Sequence, residues 1–175
     1  MNVQIGAKPD SGFDNPLGML KDCHRRIEHF LNILVTVARR AQARSLHPDE
    51  TAAVEAALNY FRIGGQRHTA DEEESLFPRL HALDGFAQLE QLEQDHAEAG
   101  KLHDQLDSLY RNWIAAGSLH QDEALRLSSA SARLHAIYQE HIQIEDNIIF
   151  PKAAQSLDSG TIKLIGQEFR TRRSL

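Results

Sequence analysis

The chain has a single cysteine, Cys23, among its 175 residues. One cysteine excludes an intramolecular disulfide and any metal site built only from cysteines, and it fits a reducing compartment. No apolar run approaches the ~20 residues that a membrane-spanning helix requires. The N-terminal residues also lack the basic and apolar regions of a secretory signal. We therefore expect a cytoplasmic protein that does not bind a membrane.

Positive charge is scarce as well, because 19 lysines and arginines stand against 25 aspartates and glutamates. This balance gives no support for a surface that binds nucleic-acid phosphates. Alternating β-branched runs bounded by turn residues are missing, so no strands are expected. The residue type in excess is histidine, with ten copies.

Apolar residues recur every three or four positions along four long segments, which is the pattern of amphipathic helices. Asparagine or histidine before proline marks two helix starts, and glycine marks one helix end. The first Phe-Pro pair is expected to disturb or end the second helix. The predicted helices run from Asn15-Pro16 to about Arg44, from Pro48 to Phe77-Pro78, from about Leu89 to Gly117, and from about Asp122 to Phe150-Pro151.

Four long helices joined by short loops predict an all-α fold, an up-down-up-down four-helix bundle with a short C-terminal helix. The predicted organisation is a flexible N-terminal lead-in over residues 1–14, the bundle over 15–156, and a C-terminal helix and tail over 157–175. Ile148 lies on the apolar stripe of the fourth helix, so we expect it to face inward.

An internal repeat relates the two halves of the chain. Residues 68–79 align without gaps on residues 141–152, and both copies read His-x-x-x-Glu followed by Phe-Pro. The offset between the copies is 73 positions, and His24 and His96 lie ahead of them at an offset of 72. Each half therefore contributes one early histidine and one later histidine–glutamate pair.

Histidine and glutamate four residues apart lie on one face of a helix, which the stripe pattern places inward. In an antiparallel bundle the early histidines lie at the level of the later pairs. One interpretation is a set of core histidines satisfied by carboxylates. The other is a site for divalent iron, manganese or zinc, because buried imidazoles and carboxylates need compensation and two carboxylates can bridge two ions. The six residues are His24, His68, Glu72, His96, His141 and Glu145.

These residues resemble the hemerythrin-like, or HHE cation-binding, domain family over about residues 15 to 155. The most specific part is the doubled His-x-x-x-Glu followed by Leu/Ile-Phe-Pro, with a single histidine ahead of each copy. The resemblance implies a non-haem di-iron centre in which an oxo, hydroxo or water ligand and two carboxylates bridge the metals. It implies that His24 and His68 serve one iron, that His96 and His141 serve the other, and that Glu72 and Glu145 are the bridges.

The family's known activities imply O2 binding, O2 or redox response, or iron handling, with O2 or another small oxygen or nitrogen species as the ligand. The chain departs from the O2-carrying pattern at Gly100, where those proteins have a second histidine on the third helix. An open coordination position there would permit the alternative, a di-iron oxidoreductase that carries out O2 or peroxide chemistry or iron-centre repair. Glu28 and His103 are lesser ligand candidates, and His103 is also expected to pair with Tyr138.

A third alternative is a structural zinc or metal-free module that binds a partner through its surface. Six inward ligands exceed the four that a structural zinc site needs. A sensor would require a separate partner protein. Around the site, Phe77 and Phe150 are expected to close the metal end of the bundle. Glu73, Glu74 and Asp146 are interpreted first as a solvated acidic face, and the alternative is that they accept hydrogen bonds from the imidazole N–H groups of the ligands.

Overall fold

The computed structural model describes residues 10–41 and 44–173, and every regular element within these ranges is helical. Two of the four long bundle helices, the second and the fourth, contain wider π-helical turns, which we label π1 to π3. The elements are α1 (Pro16–Ala38), α2 (Pro48–Tyr60), π1 (Phe61–Gly65), α3 (Gln66–Asp71), π2 (Glu72–Leu76), α4 (Phe77–His81), α5 (Leu89–Ala116), α6 (Gln121–Ile144), π3 (Glu145–Ile149), α7 (Phe150–Ser156) and α8 (Ser159–Arg173).

These elements form the predicted four-helix bundle with a short C-terminal helix. The second bundle helix is continuous over residues 48–81, and the fourth is continuous over residues 121–156. α1 packs against α2 and α6, and α5 packs against α6, whereas α2 and α5 pack less extensively. None of the described helices combines the length and apolar character needed to cross a membrane.

Several helix ends follow the local sequence signals. The Asn15 side chain accepts a hydrogen bond from the Gly18 amide at 3.1 Å, and Pro16 occupies the first helical turn. Gly117 ends α5 in the left-handed region, at φ 77°. The backbone amides of His47 and His120 donate to glutamates three residues later, so these two exposed histidines belong to helix starts.

The first helix is shorter than predicted, because α1 ends at Ala38 rather than near Arg44. Residues 42–43 of the expected helix lie outside the described residues. Arg44 instead forms two hydrogen bonds to the Glu50 carboxylate, and its carbonyl accepts the indole N–H of Trp113 at 2.8 Å. No glycine or proline stands between Ala38 and His47 to mark this end in the sequence.

The π-helical turns explain two further differences from the predicted helices. The second helix continues past Pro78 to His81, because the wider turn π2 directly before it relieves the clash between a proline ring and the carbonyl four residues earlier. In the fourth helix, the wider turn π3 contains Ile148 and Ile149 and changes the direction in which they face. Ile148 is consequently 43% exposed and Ile149 is buried, so the prediction that Ile148 faces inward was wrong.

The predicted lead-in contacts the bundle where it is described. Residues 1–9 lie outside the described residues. The Ser11 amide donates to the Asp22 carboxylate at 2.5 Å, and the Phe13 carbonyl lies so close to Gly166 of α8 that a β-carbon there would collide with it. The flexibility of residues 1–14 and the domain boundary at residue 15 stay predictions.

The apolar core is divided into two clusters. The larger one fills the end of the bundle where α2 and α6 begin, and it includes Leu34, Tyr110 and Trp113. The smaller one fills the other end and includes Phe77 and Phe150. A layer of buried histidines and glutamates lies between the two clusters.

Candidate metal centre

The structure brings the six sequence-predicted side chains together in this polar layer. Two groups of potential ligand atoms form, and within each group the atoms lie within 4.8 Å of one another. The carboxylates of Glu72 and Glu145 belong to both groups. The first group is His24, His68, Glu72 and Glu145, and the second is Glu72, His96, His141 and Glu145.

Each central carboxylate lies between imidazoles of different halves. Glu72 has its oxygens 3.2 Å from Nε2 of His68 and 3.3 Å from Nε2 of His96. Glu145 Oε2 lies 3.1 Å from Nε2 of His24 and 3.2 Å from Nε2 of His141. The π-helical turns π2 and π3 begin at these two glutamates.

The central atoms are close together without being hydrogen-bonded. Nε2 of His24, Nε2 of His141 and all four oxygens of Glu72 and Glu145 are buried and have no hydrogen-bond partner among the described residues. Short distances without hydrogen-bond alignment mean that these atoms face a shared space rather than one another. Leaving such atoms buried and unpaired costs several kcal/mol. The donor set therefore fits divalent cations, which accept imidazole nitrogen and carboxylate oxygen together.

The electrostatics of the layer agree with this fit. Burial raises the pKa of Glu72 to about 7, and the charge of Glu145 adds to the rise. Burial opposes protonation of His24, but the hydrogen bond from its ring to Asp146 and the nearby negative charges of Glu145 and Glu72 raise its pKa to about 10. His96 has its pKa raised to about 10, because Glu72 and Glu73 outweigh the opposing effect of burial. Protons and metal cations thus compete for the same atoms, so the affinity for metal must decrease as the pH decreases.

Three of the four imidazoles have a carboxylate on their outer nitrogen. Nδ1 of His24 lies 3.0 Å from Asp146, and Nδ1 of His96 lies 2.9 Å from Glu73. Such partners fix the orientation of metal-binding imidazoles. The interpretation of Glu73 and Asp146 as a solvated face was wrong, because adjacent helices bring both within hydrogen-bond distance of the rings. Glu74 does lie at the surface, where it pairs with Arg172.

Asp95 is a functional neighbour that the sequence interpretation missed. Its carboxylate lies 3.4 Å from Nδ1 of His141 on the adjacent helix. Its position directly before His96 was the available signal. Nδ1 of His68, by contrast, is buried without a partner among the described residues.

The two lesser ligand candidates do not join the cluster. Glu28 is exposed on α1. His103 lies farther along α5 and has its Nε2 3.0 Å from the Tyr138 hydroxyl, which is the expected pairing. Neither residue belongs to either group of potential ligand atoms.

Two phenylalanines close the layer on the side of the smaller cluster. The ring of Phe150 stacks on His24 at a centroid distance of 5.5 Å, and Phe77 stacks on His96 at 5.9 Å. Both phenylalanines are buried. They limit the rotation of the imidazoles and keep water from this side.

Two groups of inward-facing histidines share two carboxylates inside a four-helix bundle. This arrangement defines a class of protein, the helical bundles that bind metal cations. The sequence matches the model of the hemerythrin HHE cation binding domain over residues 15–153, so the chain belongs to that family. Neither the curated proteins nor the solved structures contain a significant match to the chain.

Proposed function

We propose that this protein binds two iron ions in the polar layer and acts in O2 or redox response or in iron handling. The observation that supports it is the sharing of Glu72 and Glu145 by two groups of potential ligand atoms. A single ion needs only one such group, whereas two carboxylates common to both groups suit a pair of ions. Manganese and zinc accept the same donors and are the competing metals.

Under this proposal each ion takes two imidazoles and the two shared carboxylates. His24 and His68 would hold one ion, and His96 and His141 the other. Iron bound there would supply reversible electron transfer and affinity for O2 or another small oxygen or nitrogen species. The residues of the chain orient the imidazoles through Asp146, Glu73 and Asp95, and they exclude water through the two stacked phenylalanines.

The second candidate function is a di-iron oxidoreductase, and Gly100 favours it. A β-carbon placed on Gly100 would meet no atom within 4 Å, so space lies open beside the second group. The cavity that contains Gly100 is also lined by His96. Small molecules therefore have a route to the second group that a side chain at residue 100 would narrow.

The proposed unit of function is the bundle over residues 15–156, and the proposed compartment is the cytoplasm, which suits a chain with one cysteine. A sensing function would use a separate partner protein. These assignments depend on the same metal pair, so metal content is the first quantity to measure.

The test is metal analysis of the protein reconstituted with iron under anaerobic conditions. We expect two irons per chain, and fewer than one per chain would contradict the proposal. Glu28→Ala is the matched control and should keep the full metal content, because Glu28 lies outside both groups.

Absorption spectra before and after O2 addition separate the two functions. A spectral change that reverses when O2 is removed supports binding or response. Rapid irreversible oxidation with consumption of added peroxide supports the oxidoreductase.

A further inference from the structure

A cavity of about 520 Å³ lies between the second bundle helix and α5. This volume falls within the range of sites that bind small organic molecules. Two local features open it. Gly100 contributes no side chain to one wall, and the opposite wall contains Phe61 and Gly65, the first and last residues of π1. The larger space needed by a small organic ligand is therefore built into both helices.

The inner wall of the cavity is aromatic. The rings of Phe61 and His103 lie 4.2 Å apart between centroids, and Tyr138 lies 5.8 Å from His103 and 6.3 Å from Phe61. Leu58 and Ala99 add apolar surface beside them. A flat, apolar guest can pack against such rings in offset or edge-to-face arrangements.

The same wall contains one hydrogen-bond donor that has no acceptor among the described residues. The Tyr138 hydroxyl and Nε2 of His103 are 3.0 Å apart and share one hydrogen bond. Burial lowers the pKa of His103 to about 4, so its ring is neutral near physiological pH. The neutral His103 ring carries one N–H, and the Tyr138 side chain carries one O–H. One of these two groups donates the shared hydrogen bond, and the other has no acceptor among the described residues.

The charged groups that line the cavity leave a small negative balance. Four carboxylates and one guanidinium line it: Glu73, Glu74, Asp104, Asp107 and Arg62. Arg172 and Arg111 pair with two of these carboxylates, Glu74 and Asp107. An anionic guest would meet more carboxylates than unpaired cations in this wall, which disfavours its binding. The guest that meets all three conditions is aromatic, carries an oxygen that accepts a hydrogen bond, and has no negative charge.

We propose that this cavity is a binding site for a small uncharged phenol, with its ring against Phe61, His103 and Tyr138 and its oxygen on the free donor of the His103–Tyr138 pair. The site does not depend on metal binding, because none of these three residues belongs to the groups of potential metal ligands. His96 and Glu73 also line the cavity, so a bound phenol would lie beside the second group.

The first test measures binding of phenol itself to the full chain by isothermal titration calorimetry and ligand-observed NMR. The metal content of every sample is determined, so that a failure of metal binding is recognised separately. We expect saturable one-to-one binding to the wild type and its loss in Gly100→Leu, which fills the cavity from a position where a β-carbon meets nothing. Ala97→Leu adds the same side chain to an exposed position of α5 and should bind phenol as the wild type does.

The second test addresses the polar contact with the double variant His103→Phe with Tyr138→Phe, which keeps two rings of similar size and removes both hydrogen-bond donors. Phenol affinity should fall about tenfold with the lost hydrogen bond, whereas toluene affinity should not fall. Benzoate should bind more weakly than phenol to the wild type. The proposal is overturned if the wild type shows no saturable phenol binding or if Gly100→Leu retains it. Equal losses of phenol and toluene affinity in the double variant, or benzoate binding as tight as phenol, would also overturn it.

Discussion

The two halves of the bundle, residues 16–81 and 89–156, place their histidines and glutamates alike but support them differently. In the second half, Asp95 lies 3.4 Å from Nδ1 of His141. The corresponding position of the first half is Cys23, and Nδ1 of His68 has no partner among the described residues. A thiol is only a weak hydrogen-bonding group. The repeat thus preserves the central atoms while one outer contact is replaced.

Further differences lie at other matched positions. The first half has Glu28 where the second has Gly100, and Leu31 where the second has His103. The glycine and the imidazole in the cavity wall therefore both come from the second half, although residues of both halves line the cavity. The comparison teaches that the cluster depends on a few shared positions, whereas access and rigidity are set separately in each half.

Removing a shared carboxylate should have the largest effect, because it breaks both halves at once. Glu145→Ala takes a donor from each group of potential ligand atoms. We expect the iron content to fall from two ions per chain to fewer than one, and the melting temperature to fall with it, since bound metal stabilises the folded state. Elemental analysis and calorimetry measure the two quantities. Glu140→Ala, at an exposed position of the same helix, should retain both ions.

The second-largest effect concerns the contact between α8 and Asp71, the residue directly before Glu72 in the first half. Arg172 and Arg173 both bind the carboxylate of Asp71, which is buried. The double substitution Arg172→Ala with Arg173→Ala should lower the free energy of unfolding by about 3–5 kcal/mol, because it leaves a buried charge without a partner. Denaturant titration measures this change. Adding Asp71→Asn should recover part of the loss, and no recovery would contradict the explanation.

The contrast between Leu31 and His103 predicts a pH dependence. Burial lowers the pKa of His103 from 6.5 to about 4. Between these two pH values the His103 ring is protonated in the unfolded chain and neutral in the folded chain. Stability should therefore fall as the pH drops from 6.5 towards 4, by about 3 kcal/mol at most. His103→Leu should remove this part of the pH dependence when metal-free samples are compared by urea unfolding. His29→Leu, at an exposed position, serves as the control. An equal loss of pH dependence in His29→Leu would contradict the assignment of this effect to His103.

The smallest predicted effect concerns the outer contact of His141. Asp95→Cys makes the second half a copy of the first at this position. Metal affinity of the second group should fall about tenfold, because partners of the outer nitrogen typically change affinity by that much. Competition with a chelator would resolve the weaker binding step. Cys23→Ser should leave both steps unchanged, and a tenfold change there would show that Cys23 does support the first half.

Much of the fold and the central cluster could be predicted from the sequence because both depend on regular spacing. Histidine and glutamate four apart must share a helix face, and the repeat offset places the two pairs at the same level. That reasoning identified the residues His24, His68, Glu72, His96, His141 and Glu145, which the structure brings together.

The remainder depends on irregular backbone and on contacts between helices. A constant period of 3.6 residues cannot anticipate π3, so it placed Ile148 inside in place of Ile149. The Asp95–His141 contact joins two helices and has no signature in local spacing. The end of α1 at Ala38 was missed for the same reason, since Arg44 contacts Trp113, which lies on another helix.

The exchange of carboxylates between the halves has a mechanical consequence. Glu72 reaches His96 and Glu145 reaches His24, so neither hairpin contains a complete group by itself. Under the proposed function, the metal pair is a reversible cross-link between two hairpins whose covalent connection is the segment of residues 82–88. Two hairpins produced as separate polypeptides would then assemble more tightly as free metal rises, and their association constant would report the occupancy of the centre.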